Sequence, residues 1–495
     1  MNRSVSPRPP IQKTLSFIRK AALVVWAGLT STSLALAEDT SPEDTSTQDT
    51  IDWPSFRGTK ANGIATGSPL PTRWDATSQP TSGIHWRTQV PGLGHSSPTI
   101  VGDQIYLTTA ISVTGDAPLN IGRNGGIKAA QDSGPQSWVV LCYDKNTGTE
   151  LWRRTATTGA PQATRHAKAT HANSTVAVAN DRVVASFGSE GTYCYDRNGE
   201  LIWETDLGLI DISKYGIGWG YASSPTIHED RVVLVCDDPN HPFVVALNLS
   251  DGKEVWRTDR LGDSERNWSS ALIHDDGGTL KRIDEEHSDG AETSAQVIVN
   301  GWPWIVAYDL EDGSERWRIR GGGDNPVPTP FVANGLIYIT SAHGDESPIY
   351  AIRPDASGNL TESLETSHDS VVWQVRRGGA YMSTPVVHDG RLYLGNTNGV
   401  LRCYDAASGD KVYEKRLGRG ASIIASLVAG DGKVFCASEN GSVYVVRSGA
   451  EFEVIAENPM GEACFASPAI SGDTMFIRTS ASLYAIRTPG DTDSE

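Results

Sequence analysis

The chain has 495 residues, with 42 basic and 60 acidic side chains, a net charge of −18 at pH 7, and 50 glycines. A body this acidic repels phosphates, which argues against a nucleic-acid partner. Charged residues make up 21% of the chain and apolar ones 38%, a balance that excludes disorder over most of its length. The length accommodates about three ordinary domains or one large repetitive domain.

The first 37 residues resemble a secretory signal peptide. Arg19 and Lys20 end a basic segment, an apolar and small-residue stretch follows, and Ala35-Leu36-Ala37 fits the cleavage pattern. An uncleaved membrane anchor is the alternative, although the stretch is shorter than the roughly 20 residues that span a bilayer. We therefore expect an exported protein, periplasmic or extracellular, with no membrane span after cleavage.

One repeated element is an Asp or Asn, a glycine four positions later and an aromatic residue eight positions later. It occurs at Asp144, Asn248, Asp309 and Asp405, and in a form one residue shorter at Asp196. Each copy follows an apolar run. The Asx-to-Gly stretch is typical of a turn, because Asx hydrogen-bonds its own backbone and glycine tolerates a positive φ. The aromatic residue then falls on the next strand.

The second repeated element is a Ser or Thr followed by two short β-rich runs that a polar turn joins. Its eight copies begin at Ser97, Ser174, Ser224, Ser270, Thr329, Thr384, Ser426 and Ser467. The shortest separations, 41 and 42 residues, match the roughly 40–45 residues of a four-stranded propeller blade.

These repeats predict an all-β fold, an eight-bladed β-propeller of four-stranded antiparallel blades. The last repeat ends near Ile486 without an aromatic strand of its own, whereas the strand around Trp86 precedes the first copy. We therefore expect this N-terminal strand to complete the last blade and close the ring. The predicted organisation is a signal peptide (1–37), a disordered acidic linker (38–50), an N-terminal lead-in (51–83), the propeller (84–487) and a disordered tail (488–495).

The repeated aromatic residues have an expected structural role, because large rings fill the gaps between neighbouring blades. These inter-blade residues are Trp86, Trp152, Trp203, Trp256, Trp317, Trp373 and Tyr413. Three of the six cysteines also share one repeat position, and equivalent positions in different blades lie apart. We expect the cysteines to be small buried side chains, although export permits disulfides.

The repeats resemble those of the pyrroloquinoline-quinone (PQQ)-like β-propeller family, the quinoprotein alcohol dehydrogenase-like superfamily. Asp144 to Trp152 matches the family's tryptophan-docking motif well, and Ala307 to Trp317 matches it nearly as well. The lead-in resembles that of an exported, non-enzymatic subgroup. The family contains quinone enzymes and binding scaffolds, so the resemblance implies the fold and leaves cofactor binding open. The scaffolds include the lipoprotein propeller of outer-membrane protein assembly, whose lipidated cysteine this chain lacks.

We expect a non-catalytic binding scaffold, with no catalytic residue, metal site or cofactor. A PQQ dehydrogenase requires an oxygen-rich Ca²⁺ site and a carboxylate base, and many family enzymes add a pair of adjacent cysteines. No two cysteines are adjacent here, and the acidic residues fall mostly at turns. A PQQ- and Ca²⁺-dependent alcohol or sugar dehydrogenase remains the alternative, and a structural module of the cell envelope is the second.

The candidate ligand face comprises the loops that lead into each innermost strand, together with those that join the second and third strands. Arg, His and aromatic side chains gather there, which suits a protein or a small anionic or aromatic ligand bound by a monomer. The alternative is that these loops are merely polar and exposed. The candidate residues are His95, His171, Trp219, Tyr221, Asn267, Trp268, Asn325, Arg376, Arg377, Tyr381 and Arg419.

Overall fold

The computed structural model describes residues 52–67, 69–115, 119–122, 128–214, 217–275, 295–344, 346–362 and 369–488. The predicted signal peptide and linker, and residues 489–495 of the predicted tail, lie outside this part of the chain. Within it the only helices are two single 3-10 turns, Gly188–Glu190 and Leu360–Glu362, and all other elements are strands. No helix among these residues has the length and apolar character that a membrane crossing requires.

The strands form eight antiparallel blades, which confirms the predicted propeller. The first strand in the chain is β1 (Ile84–Gln89), which belongs to the last blade. Blades 1 to 4 are β2 (Thr99–Val101), β3 (Gln104–Ser112), β4 (Gln136–Asp144), β5 (Glu150–Gly159); β6 (Ala177–Ala179), β7 (Arg182–Ser186), β8 (Thr192–Asp196), β9 (Leu201–Thr205); β12 (Thr226–His228), β13 (Arg231–Cys236), β14 (Phe243–Asn248), β15 (Glu254–Asp259); and β16 (Leu272–His274), β17 (Gln296–Val299), β18 (Trp304–Asp309), β19 (Glu315–Arg320).

The remaining blades complete the circle. Blades 5 to 8 are β20 (Phe331–Ala333), β21 (Leu336–Thr340), β22 (Ile349–Ile352), β24 (Val371–Val375); β25 (Val386–His388), β26 (Arg391–Gly395), β27 (Val400–Asp405), β28 (Lys411–Arg416); β29 (Val428–Gly430), β30 (Lys433–Ala437), β31 (Ser442–Arg447), β32 (Val454–Pro459); and β33 (Ala469–Ser471), β34 (Thr474–Arg478), β35 (Ser482–Ile486), β1. Outside this pattern, β10 (Ser213–Lys214) pairs with β11 (Ile217–Gly218), and β23 (Gly358–Asn359) adds to the edge of β19.

The N-terminal strand closes the ring. β1 pairs antiparallel with β35, and Trp86 lies opposite Ala485. Blade 8 therefore takes its outermost strand from the start of the propeller and its other three from the end. This pairing removes two open sheet edges and ties sequence-distant segments together.

A circle of eight hydrogen bonds joins the innermost strands at their starts. In each blade the backbone N–H of one Ser or Thr donates to the side-chain hydroxyl of its counterpart in the next blade, over 2.8–3.2 Å. The last of these bonds runs from Ser467 back to Ser97, so the circle has no end. We call these residues the hydroxyl ring: Ser97, Thr175, Ser224, Ser270, Thr329, Thr384, Ser426 and Ser467. In blade 2 the member is Thr175, one residue after the predicted Ser174.

The inter-blade aromatics dock on the Asx-Gly turns of the following blade. The indole N–H of Trp256 donates to the carbonyl of Leu310 over 2.7 Å, and Trp86, Trp152, Trp203 and Trp373 make the same bond to their neighbours. Trp86 reaches blade 1, so a docking contact also joins the last blade to the first. The turn glycine is required for this contact, since a Cβ on Gly313 (φ +72°) would lie 2.5 Å from the Trp256 ring.

Three junctions depart from this docking pattern. Between blades 6 and 7 the aromatic is Tyr413, which lacks an indole N–H and packs in an apolar cluster with residues of blade 7. Between blades 4 and 5, Trp317 donates to the side-chain oxygen of Gln296, whose amide then donates to the carbonyl of Pro354. Blade 5 has no Asx-Gly turn at this point, so the glutamine relays the contact. At the outer strand of blade 7 the aromatic is replaced by Ala456, and Trp74 of the lead-in is buried in the same apolar cluster.

All six cysteines are buried and unpaired. Cys142 lies opposite Trp152 and Cys194 opposite Trp203, and Cys403 lies opposite Tyr413. The repeat position therefore takes a small side chain because the aromatic residue faces it. Burial raises the pKa of the Cys142 thiol to about 12, which keeps this side chain protonated and unreactive.

The lead-in binds the face opposite the candidate ligand loops, which we call the turn face. Trp53 pairs with Ile100 in blade 1, and Ala65 bonds the backbone of Ala429 in blade 7. Between them Arg57, 1% exposed, donates to the carbonyls of Thr384, Pro385 and Leu427. The segment therefore ties together blades that are far apart around the ring.

Trp256→Ala tests the docking contact. Removing a buried tryptophan leaves a cavity, and the carbonyl of Leu310 loses its hydrogen-bond donor. We therefore expect the unfolding free energy to fall by about 3–5 kcal/mol. The readout is the midpoint of urea unfolding followed by circular dichroism.

Val255→Ala is the matched control, because Val255 precedes Trp256 on the same strand and is 40% exposed. We expect it to change the unfolding free energy by less than about 0.5 kcal/mol. Equal midpoint shifts in the two variants would contradict the docking role.

Candidate functional site

A cavity of about 470 Å³ lies on the axis of the propeller, and residues from all eight blades line it. We call it the central funnel. Its lowest wall is the hydroxyl ring, whose members are at most 5% exposed. Because successive side chains alternate along an extended chain, the residue two positions before each ring member also faces the axis. These residues form an upper tier: His95, Asn173, Ala222, Trp268, Val327, Met382, Ile424 and Phe465.

The lead-in places Phe56 in the lining of the funnel, on the side of the turn face. The position of this ring is fixed by its neighbour Arg57, which is anchored to blades 6 and 7 and lies 5.5 Å from the centre of the Phe331 ring in blade 5. Burial lowers the pKa of Arg57 to about 9, and carbonyl oxygens rather than carboxylates solvate its guanidinium. The funnel therefore has a floor at Phe56 and opens on the opposite side, the funnel face.

Stacked aromatic pairs form the mouth of the funnel. His95 stacks on Phe465 with ring centroids 4.5 Å apart, and His166 stacks on Trp219 at 5.1 Å. Trp219 meets Trp268 edge to face at 6.4 Å, and the indole N–H of Trp268 donates to the carbonyl of Gly220. These contacts fix the rings before any ligand arrives.

A second polar cluster lies beside the mouth at blades 4 to 6. Asp324 bonds Nδ1 of His343 at 2.5 Å, and His343 stacks on Tyr381 at 5.5 Å. Arg266 donates to the side-chain oxygen of Asn325 over 3.1 Å. Asn325 and Tyr381 line the funnel, so this cluster holds two of its polar side chains in place.

One ion pair lies within the funnel wall. Glu439, 1% exposed, accepts a hydrogen bond from Nζ of Lys168 at 2.6 Å and another from the hydroxyl of Ser422 at 2.9 Å. The backbone N–H of Gly122, in the insertion of blade 1, also donates to this carboxylate. The pair links blades 1, 2 and 7 and leaves the funnel without an uncompensated charge at this point.

The structure places five of the predicted candidate residues in the funnel wall: His95, Trp219, Trp268, Asn325 and Tyr381. Three others are packed into the protein. His171 lies 3.4 Å from the buried Asp132, and Tyr221 packs against the apolar cluster of blades 2 and 3. Asn267 is 2% exposed and donates to the carbonyl of Asn300.

The three candidate arginines lie outside the funnel. Arg376, Arg377 and Arg419 are exposed on loops that lead into blades 6 and 7, and they do not line the cavity. We call these three arginines the basic rim; exposed acidic side chains, among them Glu265 and Glu346, lie on loops of the same face.

Sequence reasoning missed Phe56, Lys168 and most of the upper tier. The upper tier had a readable signal, because its members stand two residues before each Ser/Thr repeat. Phe56 had none, since only the folded lead-in brings it to the axis. No group of three His, Cys, Asp or Glu side chains suited to a metal ion occurs within the part of the chain that the structure describes.

His95 gives the site a measurable pH dependence. Burial lowers the pKa of His95 to about 4 in the folded protein, whereas a histidine in the unfolded chain has a pKa of about 6.5. As the pH falls, the unfolded chain therefore takes up a proton at this side chain before the folded protein does. Stability from this group is therefore present at neutral pH and is lost between about pH 6.5 and 4. We expect His95→Gln to lose less stability than the wild type between pH 7 and 4.5, measured as the shift in urea midpoint. Equal shifts in the two proteins would contradict the buried, neutral state of His95.

Comparison with known proteins places this geometry in a family. Among curated relatives, the outer membrane protein assembly factor BamB of Moranella endobia is 22% identical over 343 residues, covering 62% of this chain and 80% of the relative. BamB of Alkalilimnicola ehrlichii is 27% identical over 207 residues, covering 40% of this chain and 44% of the relative, less than half of its length.

Among solved structures, a europium-containing methanol dehydrogenase superposes with a TM-score of 0.57 at 10% identity, covering 88% of this chain and 98% of the dehydrogenase. At that identity the likeness shows the fold alone. The family model described as outer membrane protein assembly factor BamB matches residues 136–280 and 243–489, which together span blades 1 to 8. The chain therefore belongs to the BamB family of PQQ-like propellers.

Proposed function

We propose that the protein is an exported, non-catalytic propeller that binds a partner protein on its funnel face. The observation that carries this proposal is the distribution of exposed apolar side chains. Among the described residues the four most exposed large apolar side chains are Val113 (67%), Ile121 (54%), Leu209 (57%) and Leu261 (69%). All four lie in connections that the strand order puts on the funnel face. Exposed aliphatic side chains rimmed by charges are typical of protein-binding surfaces.

The turn face is a poorer docking surface because the chain's own lead-in covers part of it. The lead-in uses its backbone to pair with blades 1, 2 and 7, so the inner edges of these three innermost strands are already occupied. Family membership supports the same proposal, since the related proteins are named as assembly factors of the outer membrane. Export rests on the segment 1–37, and an exported chain of this kind acts in the periplasm or outside the cell.

The basic rim provides the first test of this proposal. Arg376→Glu/Arg377→Glu reverses two exposed charges without touching the core, so we expect the protein to lose partner capture and keep its unfolding midpoint. The measurement is affinity capture from the exported fraction, with the captured proteins identified and quantified by mass spectrometry.

Lys60→Glu/Lys253→Glu is the matched control, because both lysines are exposed and both belong to the turn face. We expect it to capture the same proteins as the wild type. Capture that persists in the arginine variant would exclude the basic rim. A protein that remains with washed membranes and captures nothing would favour a structural module of the envelope.

The second candidate function, a PQQ- and Ca²⁺-dependent dehydrogenase, is favoured only by the shared fold. The donor set of the funnel does not suit a calcium–quinone pair. Ca²⁺ takes six to eight oxygen ligands, whereas Glu439 is the only carboxylate among the residues that line the funnel, and Lys168 and Ser422 already bond it.

Reconstitution tests this alternative directly. We expect the purified protein, given PQQ and Ca²⁺, to show no bound-quinone absorbance and no dye reduction with alcohols or sugars. Turnover with an artificial electron acceptor would contradict the non-catalytic assignment. A characterised PQQ dehydrogenase, treated in parallel, is the positive control.

A further inference from the structure

The lead-in narrows the lower end of the funnel. Phe56 lines this end, held there by the carbonyl bonds of Arg57. At the other end the stacked pairs of His95, His166 and their partners surround the mouth. An occupant that passes these rings enters from the funnel face, the same face that carries the exposed aliphatic side chains.

The wall of the funnel changes character with depth. Six of the eight upper-tier side chains are apolar, and two of these, Trp268 and Phe465, are aromatic. Below them the hydroxyl ring forms a belt of polar groups. Each ring oxygen uses one lone pair for the N–H of the preceding blade, so its proton is left for a group inside the funnel.

The funnel does not select an ion. The ammonium group of Lys168 is bound to Glu439 at 2.6 Å, and a buried charge that is already paired has little to gain from a second counterion. A neutral occupant with an apolar ring and a hydrogen-bond acceptor at its tip matches the apolar upper tier and the polar hydroxyl ring below it. The volume of about 470 Å³ exceeds the roughly 150 Å³ that suffices for benzene in a protein cavity.

The chain itself supplies an example of this occupant. Phe56 belongs to an irregular segment between Trp53 and Ala65 that crosses the turn face, and it directs its ring into the lower end of the same funnel. The funnel therefore already accommodates one aromatic side chain, which reaches it from the turn face.

We infer that the central funnel is a receptor for an aromatic side chain, a tyrosine or phenylalanine that the partner protein presents on a loop. This inference rests on the proposed function, and it names the chemistry of the partner. The upper tier packs the ring, and the hydroxyl ring hydrogen-bonds a phenolic oxygen. Hot spots of protein interfaces are commonly single aromatic anchors in desolvated pockets.

Ala222→Phe tests the inference by filling the funnel. Ala222 lies in the upper tier between two larger neighbours, so a ring at this position occupies the space of the incoming side chain. The probe is N-acetyl-L-tyrosinamide, observed by saturation-transfer NMR on the purified protein. We expect a signal from the wild type that Ala222→Phe removes, and a weaker or absent signal from N-acetyl-L-aspartate.

Ala450→Phe is the matched control, because Ala450 is exposed in the turn between β31 and β32 and the change adds the same bulk on the turn face. We expect it to retain the wild-type signal. A signal that persists in Ala222→Phe, or is equal for the aspartate probe, would overturn the inference. A larger signal from octanoate would assign the funnel to an acyl chain and overturn it as well.

Partner capture separates this inference from the proposed function. We expect Ala222→Phe to lower capture about tenfold, the effect of losing one anchoring side chain. If Ala222→Phe captures as the wild type does while Arg376→Glu/Arg377→Glu does not, the funnel receptor fails and the docking face stands. If the arginine variant captures normally, the basic rim is excluded from the docking surface, whatever the NMR result, and loss of capture in Ala222→Phe then decides the funnel by itself.

Discussion

The circle of eight hydrogen bonds between neighbouring innermost strands is the contact on which the rest of the molecule depends. Each bond is ordinary in length, 2.8–3.2 Å, but the circle closes only if every blade is present and Ser467 reaches Ser97. Closure sets the width of the axis. A cavity of about 470 Å³ follows from eight blades meeting around it, rather than from any one loop.

Two outer constraints reinforce this circle. The docked tryptophans join five of the eight neighbouring blade pairs near the rim, and Trp86 makes this contact between the last blade and the first. The lead-in adds contacts across the turn face, where Arg57 holds blades 6 and 7 through their carbonyls. With the frame fixed by these contacts, the loops of the funnel face supply the side chains that surround the mouth of the cavity.

Buried and exposed charges lie in different parts of the molecule. Buried charges are paired within the frame, as Glu439 is with Lys168 and Arg260 with Asp237, and such pairs fix geometry more than they add net stability. Exposed arginines remain on the funnel face at Arg376, Arg377 and Arg419.

The sequence alone determined the architecture, because the Ser/Thr and Asx-Gly-aromatic repeats each perform a local task that recurs once per blade. Turn chemistry, strand alternation and the missing last aromatic strand were sufficient to predict eight blades and the role of Trp86. The candidate site was predicted only in part. Grouping by loop found His95, Trp219 and Tyr381. It also selected Asn267, which is buried, and His171, which is half-buried beside Asp132.

The tertiary structure decided what reaches the axis. Whether a loop side chain faces the funnel, the solvent or a neighbouring blade depends on contacts between residues tens to hundreds of positions apart, such as Lys168 with Glu439 or Arg57 with Leu427. No local pattern encodes those distances. The floor at Phe56 exists only because a segment before the first blade folds back beneath all the others, and that path is set by packing and not by the repeat.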